Sequence, residues 1–423
     1  MIIHTLKIIW NQRRSNGWIF AELLVVAAIL WSVMDSLLVD VCTYYSPLGR
    51  DISNVYRVNL GKMNPSTSGY VPDSLKETSD GEDLVRLVDN LRQAPQVDEA
   101  CISYAACPYT WSTAWMSVTQ AGTTDTTEVT DQFQCFRVTP SYFDVFRIKS
   151  EDGKTLRAVV EQNGGELVIS KDMETKLYNG QSGMGRKLKW SATSTGTMTI
   201  AAVCNPIRRT EYERSEPCFY LLMRTDQDVV EEANNIPVQN MECLIRMKDG
   251  FRAEDMENFL QGMDDRLTVN NLYASSVTPL GNFRDTMLKD RRDAMMKKII
   301  LVCFMLLNVF FGIIGTFWLR TQYRRGEMGL RVAVGSSRSR LEGFLYAEGI
   351  SLLAFTAPLV LIFIINMLYF DMPDTVRLPY TWWRFTVTFG GTFLLLGLMI
   401  VVGIWFPARR IAKIEPAEAL HYE

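Results

Sequence analysis

Three uncharged apolar runs dominate this sequence: residues 299–319, 349–370 and 385–406, each 21 or 22 residues long. At 1.5 Å rise per residue a helix of that length crosses a hydrocarbon core of about 30 Å. Soluble core helices rarely carry so long an unbroken apolar stretch. The chain is therefore expected to be an integral membrane protein.

A fourth span is expected near the N-terminus. Residues 23–34 are uncharged but are bracketed by Glu22 and Asp35, and Lys7, Arg13 and Arg14 precede them. No small-x-small cleavage pattern follows, so residues 18–39 read as an uncleaved signal anchor rather than a removable signal peptide. Glu22 and Asp35 are then expected near opposite interfaces, within reach of water, in preference to a proton-relay role. Orientation follows the short basic loops. Residues 320–341 carry Arg320, Arg324, Arg325, Arg331, Arg338 and Arg340, and the tail opens with Arg409, Arg410 and Lys413. Residues 371–384 offer only Arg377 and Arg384 against Asp371 and Asp374. Both termini and the 320–343 loop are thus expected on the cytoplasmic side. The basic cluster at 289–298 disagrees, but long translocated segments largely ignore the charge rule.

About 255 residues separate the first span from the second, enough for one large or two small extracytoplasmic domains. Net charge is −3, and the basic residues follow topology rather than forming a nucleic-acid patch, so no nucleic-acid partner is expected. The only histidines are His4 and His421. The inserted region therefore has neither histidine metal ligands nor a histidine base for a serine or cysteine nucleophile. No catalytic residue, metal site or cofactor site is expected on the chain. Six cysteines lie in this region: Cys101, Cys107, Cys135, Cys204, Cys218 and Cys243. They permit 15 disulfide connectivities, but their apolar, strand-like settings favour buried free thiols. No nucleotide-binding P-loop occurs; the run at 180–187 has Arg186 where the lysine belongs.

Alternating patterns predict strands at 99–106, 132–138, 167–170, 198–203, 218–223 and 241–247. Helical periodicity predicts helices at 82–93 and 253–265. The fold class is then a membrane protein with four transmembrane α-helices and a large α+β extracytoplasmic domain between helices 1 and 2. In this reading 1–17 is a cytoplasmic segment, 18–39 the first span, 40–281 the inserted domain and 282–298 a helical stalk. The remaining spans are 299–319, 344–370 and 385–406, joined by 320–343 and 371–384, with 407–423 as the tail. One helix from about Asn282 to Leu319 would stand about 25 Å above the membrane. Glycines at 312, 315, 390, 391, 397 and 403 suit close helix packing.

Four segments carry a resemblance. RRGEMGLRVAVGSSRSRL (324–341) and PARRIAKIEPAEALHYE (407–423) are similar to the loop and tail of the MacB/FtsX-like permeases of ABC transporters. FRVTPSYFDVFRIKSEDGK (136–154) and ELVISKDMETKLYNGQSGMGRKLKW (166–190) resemble that family's MacB-like periplasmic core. His421 stands where the family more often has arginine. The six cysteines are not part of the family pattern.

The resemblance implies a non-catalytic permease subunit in the bacterial inner membrane, in which 282–423 is the FtsX-like permease domain. ATP would be hydrolysed by a separate ABC ATPase, docked beneath a short coupling helix at 327–335. Its contact residues would be Arg324, Arg325, Glu327, Met328, Gly329, Leu330, Arg331 and Gly335. Lipid anchoring of the arginines is the plainer alternative. The family further implies a second permease copy or homologue as a dimer partner. A periplasmic adaptor, a lipoprotein or an outer-membrane component is a further implied partner. The expected output is mechanotransmission serving export, efflux or lipoprotein movement. The competing reading is a cell-division-type scaffold that regulates a cell-wall hydrolase.

Overall fold

The computed structural model describes residues 13–121, 131–190, 194–323, 326, 330, 334 and 336–412. In chain order the elements are α1 (Arg13–Tyr45), β1 (Val55–Lys62), α2 (Asp80–Arg92), β2 (Val97–Tyr104), β3 (Ala114–Gln120) and β4 (Asp131–Val138). Next come α3 (Tyr142–Val145), α4 (Leu156–Asn163), β5 (Leu167–Ser170), α5 (Lys171–Tyr178), β6 (Lys187–Lys189), β7 (Met198–Cys204) and β8 (Cys218–Leu222). They are followed by α6 (Asp226–Asn235), β9 (Glu242–Met247), α7 (Met256–Met263), β10 (Thr268–Val269) and β11 (Leu272–Pro279). Three long helices close the chain: α8 (Leu280–Tyr323), α9 (Arg338–Tyr369) and α10 (Trp382–Ala412). Chain packing divides the molecule into residues 46–289 and a second unit made of the two flanking segments.

The helical unit contains four helices long and apolar enough to cross a membrane: 17–45, 280–316, 339–369 and 382–405. Sequence reading places all four, but the first helix runs from Arg13 to Tyr45, well beyond the expected 18–39. The second is continuous for 44 residues and starts at Leu280, directly after β11. Leu23, Ala27, Leu30 and Trp31 of α1 form a shared core with Leu353, Val360 and Ile364 of α9 and Leu396, Ile400 and Ile404 of α10. The Trp31 and Phe363 rings meet edge to face with centroids 6.0 Å apart. From α8, Val302, Val309 and Ile313 enter that core, with the half-buried Leu306 packed against it. Its apolar face at Ile300, Phe304, Leu307 and Phe311 stays exposed. Such a surface is stable only in lipid or against another helix.

The inserted unit is an α/β domain on a single sheet in the order β10-β11-β1-β9-β2-β4-β3-β6-β7-β5-β8. A further parallel pairing of β4 with β8, from Gln134↔Cys218 to Val138↔Leu222, joins the last strand back to β4. The strands β4, β3, β6, β7, β5 and β8 therefore form a closed ring. Its core includes Val118, Phe133, Ile169, Leu188, Ile200 and Phe219. Closure removes exposed strand edges along this half of the sheet. The remaining strands form an open sheet covered on both faces. In β9, Cys243, Ile245 and Met247 share one core with Leu84, Leu87 and Leu91 of α2, whereas Leu244 shares the other with Tyr142 and Phe143 of α3 and with Phe146 just after it. This alternation is the period of two that a strand imposes.

Local chemistry explains the helix starts. Ser79 accepts from the Glu82 amide while the Glu82 carboxylate accepts from the Ser79 amide, a reciprocal cap for α2. Ser170 caps α5 by accepting from the Met173 amide, and Asn179 ends that helix in the left-handed conformation, φ 51°. All six cysteines of the inserted unit are free and buried. Burial pushes the Cys135 thiol up to about 12 and holds the Cys101 and Cys204 thiols well above their ordinary range. These are packing groups rather than nucleophiles.

Candidate functional site

Of the residues expected to contact an ATPase, Leu330 is described, and it is helical and exposed. Arg324, Arg325, Glu327, Met328, Gly329, Arg331 and Gly335 lie outside the described residues. The Val334 amide donates to the Leu330 carbonyl at 3.0 Å, one helical turn back. Val334 is also exposed, so this short segment presents two apolar side chains to its surroundings.

A second cluster, not foreseen from sequence, lies at the C-terminal end of α1. The expectation that water reaches Asp35 is corrected: Asp35 is only 4% exposed and Arg384 0%. Arg384 grips Asp35 with both arms, Nε to Oδ1 at 2.8 Å and Nη2 to Oδ2 at 2.6 Å. Its Nη1 donates to the carbonyls of Asp374, at 2.9 Å, and Leu378. The Tyr380 ring lies against the guanidinium, 5.1 Å from centroid to carbon. One helical turn away from Asp35 on α1, the Trp31 indole donates to Thr388 Oγ1 at 3.2 Å, which adds a second tie between α1 and α10. A charge buried among helices is tolerated only when paired and hydrogen-bonded in this way.

Asp40 makes the matching tie to α8 and to the loop before α10. Lys298 Nζ donates to Asp40 Oδ2 at 2.6 Å and to Ser36 Oγ at 2.7 Å. Arg377 Nη1 donates to Asp40 Oδ1 at 2.8 Å, while its Nε donates to Asp374 Oδ2 at 2.6 Å. Burial pushes the Asp374 carboxyl up, but the Arg377 amide and guanidinium outweigh it and hold the group below its ordinary value. Two carboxylates of α1 thus tie down α8, α10 and the loop before α10. The cluster has charge and geometry but no nucleophile and base poised together. It is suited to holding helices in register, not to bond-breaking.

Sequence reading missed this cluster because its members are far apart in the chain: Asp35 and Arg384 are 349 residues apart. The usable signal was an acid at the end of one apolar run and an arginine just before another. Glu22 sits elsewhere on α1, where its carboxylate lies against Gly312 of α8. Among the described residues no group of three or more His, Cys, Asp or Glu side chains is placed to hold a metal ion.

Part of the helical unit is similar to a known family. Residues 299–416 match the model for the FtsX-like permease C-terminal domain. Among solved structures, the periplasmic region of MacB from Actinobacillus actinomycetemcomitans is 11% identical, with a TM-score of 0.34, covering 56% of this chain and 94% of that one. The extracellular domain of the noncanonic ABC-type transporter YknZ from Gram-positive bacteria is 13% identical, with a TM-score of 0.30, covering 53% of this chain and 100% of that one. Likenesses this weak add nothing to the reading of the inserted domain. No curated protein matches the chain. The match over 299–416 takes in the membrane part of α8 and nearly all of α9 and α10, so this part of the chain is similar to the FtsX-like permease C-terminal domain.

Proposed function

We propose that this chain is the membrane subunit of an ABC transporter that converts ATP hydrolysis on a separate ATPase into movement of its inserted domain. The reading rests on the FtsX-like match over residues 299–416. Permeases of this kind work with an ABC ATPase, and the chain has no nucleotide-binding P-loop of its own. The 320–343 loop would take the ATPase on the cytoplasmic face. Exposed Leu330 and Val334 would fill an apolar groove there. Arg324, Arg325 and Arg331 would pair with acidic groups of the partner, and a fork-shaped guanidinium makes such pairs strong and directional.

α8 provides a direct mechanical route. It has no proline between Leu280 and Tyr323 and spans about 66 Å at the standard helical rise. A helix without a break carries displacement along its axis, where a flexible linker would absorb it. The inserted domain would lie outside the cytoplasm in a bacterial inner membrane, with two permease copies, or one copy and a homologue, completing the assembly. Export, efflux or lipoprotein movement is the output this arrangement serves.

The test is purification of the full chain from native membranes in mild detergent. An ABC ATPase should co-purify, and its hydrolysis should depend on the permease. Glu327→Ala and Gly335→Val should weaken that dependence while the permease itself remains folded. Full stimulation by both variants would count against the assigned coupling segment.

A further inference from the structure

We propose that the inserted domain holds a binding site for a carboxylate group, walled by Arg50, Arg209 and Arg214. The three arginines line a cavity of about 40 Å³, together with hydroxyls that include Thr110 and Ser112. One carboxylate, Glu216, also lines it and accepts from Gln134 Nε2 at 3.2 Å. Three positive charges thus face one negative charge. Among the described residues none of the three guanidiniums is in an ion pair. Arg50 donates from Nη2 to the Arg209 carbonyl at 2.6 Å, and its buried Nε has no hydrogen-bond partner. Arg209 donates one bond to the Thr110 carbonyl at 3.0 Å. Neither group is saturated, because a guanidinium has five N–H donors. The buried Arg50 Nε is a donor left unmade, which a bound anion would satisfy.

The wall is fixed before any ligand arrives. Ala105 and Tyr109 both hold positive φ, 56° and 59°, a conformation that costs a side-chain-bearing residue energy. The buried Glu242 carboxylate maintains it, with Oε2 accepting from the Ala106 and Cys107 amides at 3.0 and 2.8 Å and from Ser103 Oγ at 2.8 Å. The Tyr142 hydroxyl adds a bond to the Ala106 carbonyl at 2.8 Å. Tyr109 in turn stacks under the Arg50 guanidinium at 5.5 Å, and its hydroxyl donates to Glu211 at 3.1 Å. Strain held in place by a buried carboxylate, at the edge of an unpaired guanidinium, is preorganisation for a ligand rather than for folding.

Shape favours a planar anion. A cavity of about 40 Å³ has room for a small anionic group. A planar carboxylate matches the fork geometry of Arg50. Trp111, between the lining residues Thr110 and Ser112, is 83% exposed, and its ring lies 5.6 Å from the Arg209 guanidinium. Whatever extends beyond the carboxylate would pass over that indole.

Hydrogen exchange of the full chain in detergent, read over residues 105–113, tests the site. Sodium acetate is compared with sodium chloride and sodium phosphate at equal ionic strength and pH. With acetate tenfold above its Kd, exchange in this segment should slow about tenfold. Arg50→Gln should abolish the effect, and the rim variant Arg214→Gln should weaken it. Unchanged exchange across β5 in both variants would confirm that the fold is intact. Trialanine with a free C-terminus, run beside its amidated form, separates a chain terminus from a small-molecule carboxylate, and selective protection by either carboxylate source supports the site. Equal exchange in acetate and chloride, or protection by phosphate as strong as by acetate, would overturn it.

Discussion

Arg384 and Asp35 form a buried ion pair that is costly to break. Removing one partner leaves the other charge buried and unpaired, a loss of about 3–5 kcal/mol. Asp35→Asn and Arg384→Gln should each lower the melting temperature of the detergent-solubilised chain by several degrees. The apolar double variant Asp35→Leu with Arg384→Met should recover most of the loss, since a well-packed apolar pair replaces two desolvated ions at little net cost. If the double variant is as unstable as the singles, the carbonyl bonds of Arg384 to Asp374 and Leu378 matter more than its charge pair.

Glu242 gives a residue-scale test with a pH signature. Burial raises its carboxyl above the ordinary value of 4.5, against the opposing pull of the Ser103 hydroxyl and the Ala106 and Cys107 amides. A group raised on folding adds stability that is fully present below the unfolded pKa and is lost as pH rises through the folded one. Glu242→Gln keeps an oxygen acceptor for the three donors and removes the titration. The stability of Glu242→Gln relative to the native protein should therefore increase as pH rises above about 4.5 and level off once Glu242 is fully ionised. Glu242→Ala should instead cost about 3 kcal/mol by orphaning those donors. Denaturant unfolding from pH 4 to pH 8 measures both. Neither Glu242 nor the Asp35 pair could be found from sequence. A buried carboxylate and an exposed one look alike until the fold supplies their neighbours, and those neighbours lie tens to hundreds of positions away.

Among the helices, the six glycines expected to serve close packing prove unequal. A Cβ on Gly403 would sit 2.9 Å from Ile313 Cγ2 of α8, inside any real carbon contact. At Gly315 and Gly390 it would meet nothing within 4 Å. Gly403→Ala should therefore cost about 1–3 kcal/mol by forcing α10 from α8, and Gly315→Ala should be neutral or slightly stabilising. Thermal melts of the two variants side by side measure the difference. Gly312 is intermediate, because its Cβ would meet only the mobile carboxylate end of Glu22. Element identity was legible where the pattern is local. The apolar runs located the spans, and alternation located β4, β5, β7, β8 and β9 to within a residue or so at most ends. The strands β1, β3, β6, β10 and β11 were missed, and β2 was placed two residues late. β1 and β11 carry mixed polar faces, and their register, from Tyr56↔Pro279 to Lys62↔Leu272, is set by pairing across more than 200 residues.

At the scale of the molecule, the sequence separated the helical unit from the domain inserted between its first two helices, because membrane spans are compositional and need no tertiary information. Closure of the six-stranded ring through β4 and β8 was illegible, since only the fold brings residues 134–138 beside 218–222. The proposed function joins the two units through α8, which is helical without a break from Leu280 to Tyr323. Inserting four glycines between Arg291 and Asp293 would break that rod without touching the 320–343 loop. ATP hydrolysis by the bound partner should survive the insertion, while any nucleotide-driven change in the inserted domain should disappear.

The most direct measurement is hydrogen exchange across residues 268–289 in the purified permease–ATPase complex, with and without a non-hydrolysable ATP analogue. Exchange in that segment should change on nucleotide binding in the native chain and not in the glycine-insertion variant. Identical exchange with and without nucleotide in the native complex would contradict transmission of ATP-driven movement through α8.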